Sequence, residues 1–293
     1  MRPGIRPGDP VAPKQQRYWD WRAAANFIAG GSGGGLLVCA AAASFAANDV
    51  RVLILAGMVL IAAGLTCVWF EIGRPWRALN VYRHFGSSWM SREAAIAPFV
   101  FASGALAIFT TQSLYIVFAG VLGAAFLYSQ ARMLIANKGV PAWRHPRCLP
   151  VLLATGLTEG AGLLAGVSPM LPRQIFTGVD IALVALLLVR ALLWKRYLFG
   201  FKTTAAPDRS VQALATIDRP FVILGHVLPA ALVAAAVLGA PGVASLMIAA
   251  GLLSTGAGWM LKYTLVTRAA FTERFALLRL PVRGCGTGSP AVS

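Results

Sequence analysis

The sequence is poor in acidic residues, and this shortage shapes its charge. Only 10 Asp and Glu residues stand against 26 Lys and Arg residues in a chain of 293, which gives a formal net charge of +16. Such a charge can indicate nucleic-acid binding. Here, however, the basic residues form short clusters between long apolar runs, which is the pattern that orients membrane proteins. We therefore exclude nucleic acid as a partner.

Histidine and cysteine are also scarce. The three histidines are His84, His145 and His226, and the four cysteines form no CxxC pair. A membrane b-type haem takes axial histidines from within the spans, and only His226 lies in an apolar run. The cysteine spacing offers no ligand set for an iron–sulfur cluster or a structural zinc. We expect no haem, iron–sulfur cluster or metal to be bound by this chain.

Apolar residues are abundant instead, at 58% of the chain, while charged residues make up 12%. Lipid is the solvent that this composition indicates. No cleavable signal peptide is expected, because the first 22 residues are polar, basic and proline-rich and the apolar run that follows is too long for one. Eight runs approach the roughly 20 residues that cross a bilayer: Ala23–Ala46, Val50–Phe70, Ala94–Thr110, Ser113–Leu134, Leu149–Val167, Ile175–Trp194, Phe221–Leu238 and Val243–Val266.

The connections between these runs alternate between short and long. Of the 26 Lys and Arg residues, only Arg51 and Arg173 belong to the side of the short connections. Because basic residues near span ends stay in the cytoplasm, the other side is predicted to be inside. The prediction is an all-α multi-pass protein of the bacterial inner membrane with about eight transmembrane helices and both termini cytoplasmic. It has a tail at 1–22, a membrane domain at 23–266 and a tail at 267–293, and the polar segment Phe201–Asp218 is expected to be a cytoplasmic loop.

The connection between the second and third spans carries the strongest chemical signal. Glu71 closes the second span, Gly73 and Pro75 break the helix after it, and Glu93 opens the third span. Arginines and aromatic residues fill the connection. One interpretation is an ordinary loop with an aromatic belt and arginines that reach the interface. The other is an interfacial pocket in which a carboxylate exchanges protons with a ring that enters from the lipid, and the residues alone favour neither.

This stretch resembles the DmsC-type membrane anchors, the eight-span subunits of dimethyl sulfoxide reductase and its relatives in the wider NrfD/PsrC superfamily. Those anchors carry an acid or histidine, then Gly-x-Pro-x-Arg-Ala-x-Asn, then a serine-rich turn that ends in Glu at the next span. The matching residues stand in register without a gap: Gly73, Pro75, Arg77, Ala78, Asn80, Gly86, Ser88, Ser91 and Glu93.

The resemblance implies a non-catalytic anchor subunit that binds menaquinone or ubiquinone beside a docked iron–sulfur subunit. That four-cluster, ferredoxin-like protein would connect the site to a molybdopterin catalytic subunit. Glu93 matches the glutamate associated with quinol binding, and Glu71 stands where the dimethyl sulfoxide reductase anchor has a histidine. The quinone-binding residues are then expected to be Glu71, Arg74, Arg77, Asn80, Trp89, Arg92, Glu93 and His226.

Orientation distinguishes this chain within the resembling family. The dimethyl sulfoxide reductase anchor presents its quinol site to the periplasm, whereas here the motif lies on the basic side, so the soluble partners are expected in the cytoplasm. The chain is in this respect similar to the anchors of sulfite-oxidising enzymes and of phenylacetyl-CoA:acceptor oxidoreductases. Either class would send electrons from a cytoplasmic substrate into quinone, and both stay open.

Polar groups inside the predicted spans have their own interpretations. Glu159 lies near the middle of the fifth span, where a carboxyl is either protonated or paired. Together with Glu71 and Glu93 it is a candidate for proton transfer, and it also supports two rival hypotheses. One is a transporter with a midplane site around Glu159, and the other is a structural anchor without a working quinone site. Arg190 and Lys262 are expected to reach out of the membrane along their apolar stems.

Overall fold

The computed structural model describes residues 10–46, 49–71, 80–82, 86, 88–170, 173–204, 206–273 and 275–276, with only the backbone of 10–11, 173–177 and 275–276. These residues form ten α-helices and one short antiparallel pairing of β1 (Pro10–Val11) with β2 (Phe275–Ala276). The helices are α1 (Trp21–Ala43), α2 (Arg51–Glu71), α3 (Trp89–Thr110), α4 (Ser113–Ala136), α5 (Pro141–Arg144), α6 (Cys148–Val167), α7 (Arg173–Lys202), α8 (Asp208–Val222), α9 (Leu228–Val237) and α10 (Val243–Tyr263).

The helices confirm an all-α membrane protein. In the described part of the chain, seven helical segments are long and apolar enough to cross a membrane. The 30-residue helix α7 runs through the predicted sixth span. Large apolar side chains such as Phe109 and Leu238, each 85% exposed, point away from the bundle. Such surfaces belong against lipid rather than water.

The bundle is arranged around α1, which packs against α2, α4, α6 and α10. Helix α1 contains the run Gly30-Gly31-Ser32-Gly33-Gly34-Gly35. This run permits the close packing, because glycines let helix backbones approach closely in lipid. A Cβ added at Gly34 would come 2.7 Å from the Gly123 carbonyl oxygen, and one added at Gly33 would come 2.5 Å from that of Gly57. The run therefore serves helix packing.

The contact between α1 and α6 provides a test of this packing. A Cβ at Gly160 would overlap the backbone of Gly35, whereas a Cβ at Gly166, on the same helix, would meet no atom within 4 Å. We expect Gly160→Ala to destabilise the bundle by about 1–3 kcal/mol, the usual cost of overpacking. Thermal unfolding in detergent measures it, with Gly166→Ala as the matched control. Equal midpoints for the two variants would contradict this account.

The prediction of a loop over Phe201–Asp218 is wrong. Helix α7 continues to Lys202 and α8 begins at Asp208. Leu214, Ile217 and Phe221 are buried on one side of α8, at the three- and four-residue spacing of an amphipathic helix. The segment is polar on average because only one face of it packs inward. A π-helical turn at Ile223–Val227 then leads into α9.

The two ends of the described chain meet on one end of the bundle. Trp19 stacks on Trp143 with ring centroids 5.0 Å apart, and Trp143 Nε1 donates to the Leu265 carbonyl over 2.8 Å. That carbonyl lies in a second π-helical turn, Thr264–Arg268, where the wider winding leaves carbonyls free to accept. Gln16 Nε2 donates to another of them, that of Val266, over 3.2 Å. We call the end formed by 10–20, 137–147, 202–204, 206–209, 264–273 and 275–276 the terminal face.

Candidate functional site

The start of α1 is fastened to the end of α2. Asp20 caps α1 by accepting from the Arg22 backbone over 2.8 Å, and it also pairs with the Arg22 guanidinium over 2.9 Å. That hydrogen-bonded guanidinium holds the pKa of Asp20 below its ordinary value. Another Arg22 bond, from Nη1 to the Phe70 carbonyl over 2.9 Å, reaches α2. The last residue of α2, Glu71, is therefore kept beside the α1 N-terminus.

Glu93 lies one turn inside α3 rather than at its first residue. The helix begins at Trp89 and Ser88 caps it, so the predicted placement of Glu93 at the helix N-terminus is wrong. The five residues before Ala94 contain too many polar groups to count as an apolar run, yet they are helical. The Glu93 side chain is 3% exposed and accepts at Oε1 from Gln130 Nε2 over 2.9 Å and from Asn26 Nδ2 over 3.3 Å. Two amides from two other helices thus hold this carboxyl.

Glycines make room for both amides. A Cβ added at Gly64 on α2 would come 3.0 Å from Asn26 Oδ1, and a Cβ added at Gly30 on α1 would overlap Gln130 Nε2. Gln130 Nε2 also donates to the Asn26 backbone carbonyl over 3.0 Å. The position of the Glu93 carboxyl is therefore set by close backbone approach of α1, α2 and α4.

A cavity of about 460 Å³ opens beside Glu93. Its wall carries three polar side chains among apolar and aromatic ones, and two of its residues, Trp69 and Met90, are 48% and 41% exposed. A mostly apolar space with a few placed polar groups is the usual form of a small-molecule site. The lining residues are Asn26, Leu65, Val68, Trp69, Val81, Tyr82, Met90, Glu93, Ala94, Ala97, Pro98 and Phe101.

One wall of the cavity is a returning turn at 80–82. Ser91 Oγ donates to the Val81 carbonyl, and Tyr82 donates from its hydroxyl to the Ala94 carbonyl over 3.2 Å. Both bonds attach the turn to the first two turns of α3. Val81 and Tyr82 are thereby held in the cavity wall.

An aromatic and cationic cluster covers the start of α3. The Arg92 guanidinium lies 4.2 Å from the centre of the Trp89 ring, and that of Arg132 lies 4.9 Å from it. Tyr128 contacts the same ring edge-on at 5.7 Å. Arg92 also donates to the Gly86 carbonyl over 2.7 Å. Cation–π contacts of this kind stabilise the helix start.

The structure brings the predicted quinone-binding residues together only in part. Glu93 lines the cavity, while Asn80, Trp89 and Arg92 lie on the turn and helix that bound it. Glu71 ends α2 and is not one of the lining residues. Arg74 and Arg77 fall outside the described residues. His226 lies in a separate cluster, on the π-helical turn between α8 and α9.

A second buried cluster surrounds Glu159 in α6. Its Oε2 pairs with Lys262 Nζ over 2.5 Å and accepts from Ser32 Oγ over 2.8 Å. Trp259 Nε1 in turn donates to Ser32 Oγ over 2.9 Å. Glu159 is fully buried and Lys262 is 2% exposed, so the expectation that Lys262 reaches the interface is wrong. It stays inside because a buried carboxylate compensates its charge.

Arg190 is fully buried too, contrary to the expectation for it. Its Nε donates to His226 Nε2 over 3.0 Å, Nη1 to the Ser254 carbonyl over 2.9 Å and Nη2 to the Gly225 carbonyl over 2.6 Å. His226 Nδ1 bonds the Phe221 carbonyl over 2.8 Å, which leaves the other ring nitrogen to accept from Arg190. The π-helical turn supplies two of these acceptors and α10 supplies the third, so the guanidinium needs no path to water.

Two residues of the site are not among those predicted from the sequence. Asn26 and Gln130 are single amides inside long apolar runs, and both are buried against Glu93. Polar side chains within spans commonly have a function, and this signal was present for both. Among the described residues, no group of three or more His, Cys, Asp or Glu side chains is placed to hold a metal ion.

Comparison with known proteins places the site within a matched region. A family model described as the DMSO reductase anchor subunit (DmsC) matches residues 26–193. That region is more than half of the chain and includes Asn26, Glu93, Gln130 and Glu159. A sulfite dehydrogenase subunit of Allochromatium vinosum is 30% identical over 142 residues, which cover 42% of this chain and 44% of that protein. The aligned part thus spans less than half of that relative.

Proposed function

Because the chain belongs to the DMSO reductase anchor subunit (DmsC) family, and is a membrane anchor subunit of an oxidoreductase, we propose that it binds a quinone in the cavity beside Glu93. The complex would pass electrons between a partner iron–sulfur subunit and the membrane quinone pool. The observation that carries the proposal is a buried carboxyl, held by two amides, in the wall of an apolar cavity of about 460 Å³.

The residues of the cavity suit a quinone. A substituted ring with a hydrocarbon tail needs a mostly apolar pocket, an entry from lipid and a few polar groups for its two oxygens. Trp69, Phe101 and Met90 provide apolar contact area. Asn26, Tyr82 and Glu93 provide the polar groups, and the exposed edges of Trp69 and Met90 lie on the side from which a tail would extend. Menaquinone and ubiquinone both meet these requirements.

The chemical role proposed for this chain is proton transfer to and from the quinone. A quinone takes up or releases two protons together with two electrons. Because Glu93 Oε1 already accepts two N–H bonds, a proton on this acid is held at Oε2. Asn26 and Gln130 keep the carboxyl in place in both protonation states, and the apolar wall excludes bulk water. Glu71, near the membrane surface beside Arg22, would exchange protons between this site and water.

The rival hypothesis of a transporter finds no support around Glu159. A midplane substrate site needs a cavity, and in the described part of the chain the space bounded by Lys262 amounts to only about 10 Å³. The charges there are already paired inside the bundle. Replacement of Glu93 by Gln distinguishes the proposed site from a structural anchor without a working quinone site, in which the rate of electron transfer would not change.

The proposed partners are a four-cluster iron–sulfur subunit and a molybdopterin catalytic subunit, docked on the terminal face in the cytoplasm. Electrostatic attraction would speed their docking if their surfaces are acidic. Sulfite is the substrate class that we favour for the catalytic partner, because the relative found belongs to a sulfite dehydrogenase. Among the described residues, the exposed cations near this end of the bundle are Lys14, Arg17, Lys138, Arg144, Arg147, Lys195, Arg196, Lys202, Arg209, Arg219 and Arg268.

Purification from inverted and right-side-out vesicles tests this assignment. The tagged chain is expected to bring down an iron–sulfur subunit and a molybdopterin subunit, and added protease should digest them only in inverted vesicles. Decylubiquinone or menadione should quench the tryptophan fluorescence of the purified complex, because Trp69 and Trp89 lie at and near the cavity. Isolation without redox partners, or digestion in right-side-out vesicles, would overturn the partner and orientation proposals respectively.

A further inference from the structure

Gln130 has an orientation that its two acceptors dictate. Its Nε2 donates both to Glu93 Oε1 over 2.9 Å and to the Asn26 backbone carbonyl over 3.0 Å. The amide nitrogen must therefore face these two acceptors. The amide oxygen therefore points the other way. Gln130 is 2% exposed, and Oε1 has no hydrogen-bond partner among the described residues. A buried acceptor without a donor is costly, so a donor is expected opposite it.

The Lys262 ammonium lies close to this oxygen. A Cβ added at Gly31 would overlap Lys262 Nζ and lie 3.6 Å from Gln130 Oε1, so both atoms border the same glycine. A space of about 10 Å³ is bounded by Gln130 and Lys262, with apolar side chains around the rest of it. That volume is about the size of one water molecule. Of the three donors on the ammonium, one is engaged by Glu159 Oε2.

We propose that one water molecule joins Lys262 Nζ to Gln130 Oε1, and that Lys262 is thereby a positioning residue for Glu93. The water accepts from the ammonium and donates to the amide oxygen. The amide nitrogen then has its donors directed at Glu93 and Asn26. The proposal rests on the proposed quinone site for its functional meaning, but the bridge itself does not depend on a quinone.

This bridge connects the two buried polar clusters. Glu159 orients Lys262, Lys262 orients Gln130 through the water, and Gln130 orients Glu93. Polarised chains of hydrogen bonds strengthen one another in a low-dielectric interior. The buried ion pair of Glu159 and Lys262 thus acquires a role in the geometry of Glu93, the acid of the cavity.

A double-mutant cycle in the assembled complex tests the bridge. One arm is Gln130→Leu. The other is the pair variant, Glu159→Gln with Lys262→Met, which removes both charges while keeping volume, so that no unpaired charge is left in the bundle. The readouts are the dissociation constants for decylubiquinone and menadione and the thermal unfolding midpoint. The control is a second ion pair, Lys195→Met with Asp218→Asn, near the terminal face.

The pair variant is expected to weaken analogue binding by about tenfold, a size typical of residues in one network. In the Gln130→Leu background the pair variant should cause no further loss of analogue binding. The shifts in unfolding midpoint caused by Gln130→Leu and by the pair variant should be non-additive. The Lys195 and Asp218 control should be additive with Gln130→Leu. Equal effects of the pair variant in both backgrounds, on binding and on unfolding, would overturn the bridge. If unfolding is non-additive but neither Gln130→Leu nor Glu93→Gln alters analogue binding, the bridge stands and the quinone site fails.

Discussion

Replacement of Glu93 by Gln is expected to lower quinone-linked electron transfer by about 10²–10⁴-fold, the usual contribution of a positioned acid or base. Gln has nearly the same shape as Glu, and its carbonyl can still accept from Gln130 and Asn26. It cannot hold or release a proton. The measurement is electron flow from the reduced iron–sulfur partner to decylubiquinone and to menadione in the purified complex.

Assembly should be unchanged in the Glu93 variant, because the terminal face is untouched. The matched control is Asp49→Asn at the opposite end of the bundle. Asp49 forms an exposed ion pair with Arg51 over 2.6 Å, and hydrogen bonds from Arg51 lower the pKa of Asp49 to about 2. Its neutralisation should leave electron transfer and assembly as they are. A Glu93 variant with an undiminished rate would leave the chain as a structural anchor without a working quinone site.

The spans were predictable where polar residues interrupt the apolar runs. Helix α3 ends at Thr110 and α4 begins at Ser113, as the sequence indicates, because Thr111 and Gln112 break the pattern. At the terminal face, α7 and α8 extend beyond the apolar runs. Hydropathy reports where lipid ends, whereas a helix continues as long as one of its faces can pack, and α8 does so.

Of the residues that form the site, the sequence predicts the acid Glu93 but not the two amides that hold it. Glu93 stands in a local motif, but its amide partners come from 67 and 37 residues away along the chain. Nothing in an apolar run says which neighbouring helix a lone amide will meet, so the sequence marks Asn26 and Gln130 as unusual without indicating their partner. Arg190 was misjudged for the same reason. Its acceptors are the His226 ring and the carbonyls of Gly225 and Ser254, and the first two lie on a π-helical turn that the sequence does not reveal.

Replacement of Lys262 by Met alone is expected to destabilise the bundle by about 3–5 kcal/mol, the usual cost of removing one partner from a buried ion pair. Glu159 is fully buried, so its carboxylate would lose its counter-charge without gaining water. Ser32 and Trp259 cannot replace the ammonium, since a hydroxyl and an indole supply dipoles rather than charge. Thermal unfolding of the purified chain in detergent measures the loss.

The double replacement of Lys262 by Met and Glu159 by Gln should recover most of that stability. With both charges gone, the site holds side chains of similar volume, and Gln can still accept from Ser32 Oγ. Buried ion pairs often contribute little compared with such neutral substitutes, because removing two charges from water offsets their attraction. A double variant as unstable as Lys262→Met would instead assign the pair a net stabilising role. If stability recovers, the ion pair of Lys262 and Glu159 contributes little to folding. Its role is then to orient Gln130 and, through Gln130, the Glu93 carboxyl.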